Sequence, residues 1–106
     1  MKPLSPEQVA EALRGLPQWT GSVKGLERKL EFEDFRGAMQ FMQACVEDID
    51  RLNHHPTWSN TFNRVAIHLD TFDKDHVVTG MDVKLAQAID RIVAARGAEF
   101  GLVDLA

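Results

Sequence analysis

The spacing of hydrophobic positions changes several times along the chain, and each change marks a predicted element. Ser5-Pro6-Glu7-Gln8 combines a capping hydroxyl, a proline and an amide that can bond back, which predicts a short helix ending at Gly15 and Pro17. Residues 26–32 then alternate between apolar and polar, as in a half-buried strand. Residues 18–22 are predicted to be its hairpin partner.

The longest amphipathic pattern covers residues 34–53, where apolar residues recur every three or four positions and predict a helix. Pro56 disfavours a helical conformation at His55, so the helix is expected to end near residue 53. Phe41 and Ala44 lie off the stripe, and either widen the core face or form a second apolar face for another chain. The stripe consists of Phe35, Ala38, Met39, Met42, Cys45, Val46, Ile49 and Leu52.

The remaining pattern predicts a second hairpin and a closing helix. Residues 58–62 and 64–72 are predicted strands around Asn63. Thr79 is the predicted N-cap of a last helix that ends at Gly97. The order is α-β-β-α-β-β-α, so we expect one α+β domain over residues 1–106, with a four-stranded antiparallel sheet and three helices packed on one face.

Composition narrows the classes of function. The net charge is −4 and the basic residues are scattered, so direct binding of nucleic acid is not expected. The single cysteine, Cys45, cannot form an internal disulfide, which favours a reducing compartment, the cytoplasm. The apolar runs are only a few residues long, so no membrane span is predicted. Glycine-rich nucleotide-binding motifs are also missing from the sequence.

Two adjacent histidines, His54 and His55, follow the long helix and are kept out of it by Pro56. An imidazole can accept or donate a proton near neutral pH, which suits general acid–base catalysis. The alternative is that both residues cap the helix C-terminus, where a cationic ring meets the helix dipole. Trp58 shares a face of the extended segment with Pro56, and the two form either a wall for a flat heterocycle or part of the core.

A metal site is a weaker hypothesis. The sequence has no His-x-x-x-His or Cys-x-x-Cys spacing, and adjacent histidines in an extended segment point in opposite directions. Cys45 lies on an apolar helix face and is expected to be a buried thiol rather than a nucleophile. The ligands of such a site would come from His54, His55, His68, His76, Asp70, Asp73 and Asp75.

Residues 53–65, NHHPTWSNTFNRV, resemble the signature of the pterin-4a-carbinolamine dehydratases, N/D-H-H-P-x-W-x-N-x-Y/F-N-K/R-V. The resemblance covers most of the chain and implies the family's α-β-β-α-β-β-α fold, which agrees with the order predicted from the periodicity. Outside the signature it includes Trp19, residues 26–32, Phe35, Ala38, Phe41, Met42, Thr79, Asp82, Leu85, Ala86, Ile89 and Asp90.

The resemblance implies dehydration of 4a-hydroxytetrahydropterin to quinonoid dihydropterin, a step of tetrahydrobiopterin recycling, without a metal or redox cofactor. Hydroxide leaves C4a while N5 loses its proton, so the site needs an acid and a base. By resemblance His54 and His55 are catalytic. The implied substrate-binding residues are Asn53, His54, His55, Pro56, Trp58, Asp70, Thr71, Phe72 and Asp73, and the supporting residues are Asp50, Asp82 and His76.

Phe72 departs from the family pattern, in which the strand ends Thr-His-x-x-Gly-Gly-Leu-Thr. A phenylalanine cannot transfer a proton, so three interpretations are open. His54 and His55 suffice for catalysis, or His76 reaches back from the following loop to replace the missing histidine. In the third interpretation the chain keeps the fold for a role that is not catalytic.

The resemblance also implies partners. Family members form dimers by extending the sheet and tetramers through helices, so a homodimer or homotetramer is expected, and the edges of a four-stranded sheet suit the first. Relatives act as dimerisation cofactors of homeodomain transcription factors or as RuBisCO assembly factors. The expected small-molecule partner is a pterin. The alternative function is binding of a protein partner without catalysis.

Overall fold

A computed structural model of the chain describes residues 2–103. The elements follow the predicted order α-β-β-α-β-β-α and confirm the α+β class. No helix among the described residues is both long and apolar enough to cross a membrane. The helices are α1 (Pro6–Arg14), α2 (Phe35–Leu52) and α3 (Gly80–Arg96), and the strands are β1 (Thr20–Ser22), β2 (Gly25–Glu31), β3 (Thr57–Thr61) and β4 (Arg64–Leu69).

The four strands form one antiparallel sheet in the order β1-β2-β4-β3. Both predicted hairpins are present, and β2 joins β4 at the centre with Leu26 opposite Leu69 and Leu30 opposite Val65. These four side chains are buried with residues of all three helices in one core, so the helices cover one face of the sheet. His68 belongs to the opposite, more open face, because alternate strand residues point to opposite sides.

Helix ends are fixed by side-chain caps, as the sequence predicts. Ser5 and Gln8 form a capping box at α1, and Thr79 and Asp82 form another at α3. The long helix α2 ends at Asn53, whose φ of 48° lies in the left-handed region. The chain therefore turns sharply just before the two adjacent histidines.

Phe41 is fully buried, and its ring centroid lies 5.4 Å from that of Phe32. Ala44 is half-buried and packs against the core. The interpretation that both residues widen the core face is thus confirmed, and a second apolar face built on Phe41 is wrong. The apolar face of α2 is therefore wider than the stripe of residues that recur every three or four positions.

Arg28 interrupts the apolar alternation of β2 because it makes an ion pair on the core side of the sheet. Its Nη1 donates to Asp90 Oδ1 over 2.6 Å, and the indole Nε1 of Trp19 donates to the same oxygen over 2.7 Å. The Arg28 side chain is only 9% exposed. This contact ties the first hairpin to α3, and Trp19 is buried in the core.

The last strand is shorter than predicted, because β4 ends at Leu69 rather than at residue 72. The carbonyl of Thr71 accepts bonds from the amides of Lys74 and His76, so the chain curls into a 3-10 turn over Phe72–Lys74. Asp75 and His76 follow with φ of 61° and 59°, both in the left-handed region. Phe72 therefore lies in a turn and not in the sheet.

Candidate functional site

A cleft of about 330 Å³ opens where the end of α2, the start of β3 and the turn after β4 meet. It gathers three of the four histidines of the chain. A larger groove of about 790 Å³ on the outer side of α2 contains no histidine. The lining residues of the cleft are Asn53, His54, His55, Thr57, Asp70, Thr71, Phe72, Asp73 and His76.

His54 is held by a buried carboxylate. Its Nε2 lies 2.5 Å from Oδ1 of Asp82, and the two side chains are 11% and 0% exposed. An ionised carboxylate only accepts hydrogen bonds, so Nε2 donates and Nδ1 is the acceptor of the neutral ring. Within residues 2–103 that Nδ1 has no hydrogen-bond partner, and because His54 lines the cleft this nitrogen is left for a ligand.

Asp82 is fixed by further hydrogen bonds on its other oxygen. Oδ2 accepts from Thr71 Oγ1 over 2.7 Å and from the Thr79 amide over 2.8 Å. The Thr71 hydroxyl also meets the Thr79 hydroxyl at 2.8 Å. Asp82 lies in the first turn of α3, where the helix dipole favours a negative charge. The carboxylate is thus held rigidly, and His54 with it.

A second carboxylate, Asp70, binds two more imidazoles. Its Oδ2 lies 2.9 Å from His68 Nε2 and its Oδ1 lies 3.1 Å from His76 Nδ1. His76 is 61% exposed, His68 34% and Asp70 14%, so this group is far more open to water than the one around Asp82. Both imidazole nitrogens donate to the carboxylate, and His76, whose backbone lies in the left-handed region, lines the cleft.

His55 and Phe72 present exposed rings to the cleft. The His55 side chain has no hydrogen bond to the described residues. The Phe72 ring is 79% exposed, and its centroid lies 5.1 Å from that of His76 with the two planes at 90°. Sequence reasoning did not select Thr57, although strict alternation places it on the same side as His55.

Four of the site residues that the resemblance implies do not line the cleft. Asp82 lies behind His54 and acts through it. Trp58 is half-buried and packs against the hydrophobic core, and Pro56 shares its side of the segment. Asp50 is exposed on the surface of α2, where its carbonyl oxygen accepts from the Asn53 amide. The wall built from Trp58 and Pro56 is therefore not part of the cleft surface.

The sequence raised two further kinds of chemistry, a cysteine nucleophile and a metal site. Cys45 is fully buried, as predicted, and burial together with the nearby charge of Asp48 raises the pKa of its thiol to about 12. A thiol in this environment is a poor nucleophile. In the part of the chain that the structure describes, no three His, Cys, Asp or Glu side chains are grouped so that they could hold a metal ion.

The fold and the cleft define a class: a small α+β domain with a carboxylate-bound histidine at the end of its longest helix. Comparison with known protein families identifies the family to which this domain belongs. The sequence profile described as pterin 4 alpha carbinolamine dehydratase matches residues 2–92. The chain belongs to the pterin-4-alpha-carbinolamine dehydratase family.

Individual relatives agree with this membership. A protein of Burkholderia vietnamiensis strain G4 is 43% identical over 94 residues, covering 86% of this chain and 90% of the relative. A protein of Christiangramia forsetii is 38% identical over 93 residues, covering 88% of this chain and 95% of the relative. Both are named only provisionally as pterin-4-alpha-carbinolamine dehydratases.

A solved structure extends the likeness to three dimensions. The crystal structure of a transcriptional coactivator/pterin dehydratase from Brucella melitensis superimposes with a TM-score of 0.80. Its sequence is 33% identical, and the alignment covers 86% of this chain and 98% of that chain. The fold is therefore shared with a protein that is named both as a transcriptional coactivator and as a pterin dehydratase.

Proposed function

We propose that the protein dehydrates 4a-hydroxytetrahydropterin to quinonoid dihydropterin, as a step of tetrahydrobiopterin recycling. The observation that carries this proposal is the His54–Asp82 pair, in which a buried carboxylate orients an imidazole whose other nitrogen is open to the cleft. Family membership supports the choice of substrate. The chemistry requires one base for N5 and one acid for the leaving oxygen.

His54 is the base in this proposal. Its Nδ1 accepts the N5 proton of the substrate, while Nε2 continues to donate to Asp82. The ring becomes cationic, and the negative charge of Asp82 stabilises it at short range in a site with little water. A fixed carboxylate also keeps the imidazole in the one tautomer that can accept at Nδ1.

His55 is the acid. It is exposed and lines the cleft, so its ring is open to both water and substrate. Protonation of the 4a-hydroxyl lets the oxygen leave C4a as water. The electrons of the N5–H bond then form the C4a–N5 double bond, and the proton remains on His54. His76, bound to Asp70 at the open side of the cleft, has a supporting role.

The polar lining of the cleft suits the edge of a pterin, which carries an amino group and ring N–H donors. Asp70 and Asp73 can accept from such donors, and Asn53 can both accept and donate. Thr71 connects this lining to Asp82. Pro56 and Trp58, which we expected at the substrate, are assigned instead to holding the segment that carries His55.

Stopped-flow measurement of dehydration tests the proposal. The wild type is expected to accelerate the reaction over buffer, and His54→Ala to lose about 10²–10⁴-fold of kcat. His55→Ala should lose less, because water can replace an exposed acid. Arg51→Ala is the control, since Arg51 is exposed and, among the described residues, its ion pair is with Asp48 one turn earlier in α2. No acceleration by the wild type would refute the enzymatic proposal.

A second candidate function is binding of a protein partner without catalysis. It is supported by the Brucella melitensis structure, whose description includes a transcriptional coactivator. A wild type that fails to dehydrate the substrate, yet is correctly folded, would favour this function.

We also propose a homodimer or homotetramer. β1 and β3 are the outer strands of the sheet, so a second copy can extend it. Light scattering that shows a monomer at micromolar concentration would contradict the assembly. The cytoplasm is the proposed compartment, in keeping with a single buried free thiol.

A further inference from the structure

Phe72 is the most exposed large hydrophobic side chain of residues 2–103, at 79%. Single exposed apolar side chains are common on protein surfaces, so exposure alone assigns no role. Its place is more informative, because the ring stands at the cleft that contains His54 and His55. A ring in this position is open to contact with whatever the cleft binds.

The turn that carries Phe72 is anchored at its base. The Thr71 amide donates to the Val77 carbonyl over 2.9 Å, and the Thr71 carbonyl accepts from Lys74 and His76 over 3.1 Å each. The Thr71 hydroxyl donates to Asp82, the same carboxylate that holds His54. The backbone beneath the Phe72 ring is thus tied to the catalytic pair and positioned before a ligand arrives.

Among residues 2–103 the Phe72 ring has one aromatic neighbour, the imidazole of His76, which it meets at right angles. Trp58, the other aromatic candidate, packs against the core. The rest of the lining is polar or imidazole, so Phe72 is the one carbocyclic aromatic ring among the described residues of the cleft.

A pterin is a flat bicyclic heterocycle with polar edges and two weakly polar faces. Asn53 and Asp73 offer partners for an edge, but a face needs an apolar surface of similar size. Aromatic rings stack favourably in an offset arrangement, and stacking does not require a particular pattern of hydrogen bonds.

We infer that Phe72 is the surface on which the flat ring of the substrate stacks, and that it sets the preference of the cleft for a planar bicyclic heterocycle. The inference rests on the proposed function, which supplies the pterin. Stacking holds the substrate and the transition state about equally, so loss of the ring should raise KM and leave kcat nearly unchanged.

The test is calorimetric titration with unsubstituted oxidised pterin, which cannot be dehydrated. Phe72→Ala is expected to raise the Kd for pterin about tenfold. The Kd of Phe72→Leu should lie between those of the wild type and Phe72→Ala, because leucine keeps apolar bulk without an aromatic face. Phe62→Ala is the matched control, since Phe62 is also exposed, at 65%, but lies in the β3–β4 turn outside the cleft. Its Kd should equal that of the wild type. KM for 4a-hydroxytetrahydropterin should follow the Kd series.

Three results would overturn the inference. Equal Kd and KM for the wild type and Phe72→Ala would refute stacking while leaving the proposed dehydration intact. Tighter binding by Phe72→Ala would show that the ring obstructs the cleft. A wild type that neither binds pterin nor accelerates dehydration would refute the proposed function and this inference with it.

Discussion

His54 and His76 both line the cleft and each is bound to an aspartate, but the two pairs lie in very different environments. His54 is 11% exposed and 2.5 Å from a fully buried Asp82, whereas His76 is 61% exposed and 3.1 Å from Asp70. Water and salt screen the second pair but hardly reach the first. The same two residue types therefore form a buried contact in one place and a solvated contact in the other.

The difference comes from the elements that carry each pair. Asp82 belongs to the capping box of α3, and His54 follows the left-handed cap of α2, so two helix ends fix the first pair. His76 lies in a loop, at φ of 59°, and shares Asp70 with His68. Asp82 is fully buried and hydrogen-bonded at both oxygens, whereas the His76 ring is exposed to water on the surface of its turn.

Asp82→Asn should give the largest change. The amide keeps the shape of the side chain but loses the charge that stabilises a cationic His54. We expect kcat to fall roughly 10–100-fold. The free energy of unfolding, from urea titration, should fall by about 1–3 kcal/mol, because a buried hydrogen-bonded network loses a partner.

Asp48→Asn is the control for that variant, since it makes the same change of side chain in an ion pair with Arg51 at the surface of α2, outside the cleft. It should change stability by less than about 0.5 kcal/mol. If Asp82→Asn dehydrated the substrate at the rate of the wild type, the buried pair would have no special part in catalysis.

His76→Ala should have a smaller effect. The pair with Asp70 is exposed, and exposed ion pairs contribute little, so we expect kcat to change less than about fivefold. Stopped-flow dehydration by this variant and by His54→Ala, measured side by side, gives the contrast. A loss of about 10²-fold in His76→Ala would make His76 a proton-transfer residue and would remove the distinction between the two pairs.

Asp50→Asn should have the smallest effect. Its side chain is exposed and outside the cleft, and it holds Asn53 only through its carbonyl oxygen. Loss of a negative charge near the C-terminus of α2 should stabilise the helix slightly, by less than about 0.5 kcal/mol. Unchanged kcat and KM are expected. A clear fall in kcat would give Asp50 a role that its position does not explain.

Hydrophobic spacing was sufficient for the order of elements, because periods of two and of three to four reflect local geometry. Ser5, Thr79 and Gly97 marked helix ends correctly, since caps are also local. The predicted end of β4, residue 72, was wrong, because the chain turns at Thr71. That turn depends on hydrogen bonds from the Lys74 and His76 amides, which the pattern of polar and apolar residues does not show.

The candidate site was harder to predict from the sequence than the fold. His54 and Asp82 lie 28 positions apart, and only the packing of α2 against α3 brings them together. Spacing alone left His54 with a second interpretation, a helix cap, and the resemblance alone suggested Asp82. For Trp58 the sequence left two interpretations open, a wall for a flat heterocycle and a part of the core. In the structure Trp58 packs against the core, and Thr57 lines the cleft.

A double-mutant cycle in kcat/KM over His54→Ala and Asp82→Asn tests the central claim, that the two residues act as one proton-accepting unit in pterin dehydration. All four proteins are compared by stopped flow at a temperature where each is folded. We predict that the double variant is no slower than His54→Ala alone, because Asp82 acts only through His54. Losses that multiply independently, or a wild type no faster than buffer, would contradict the account.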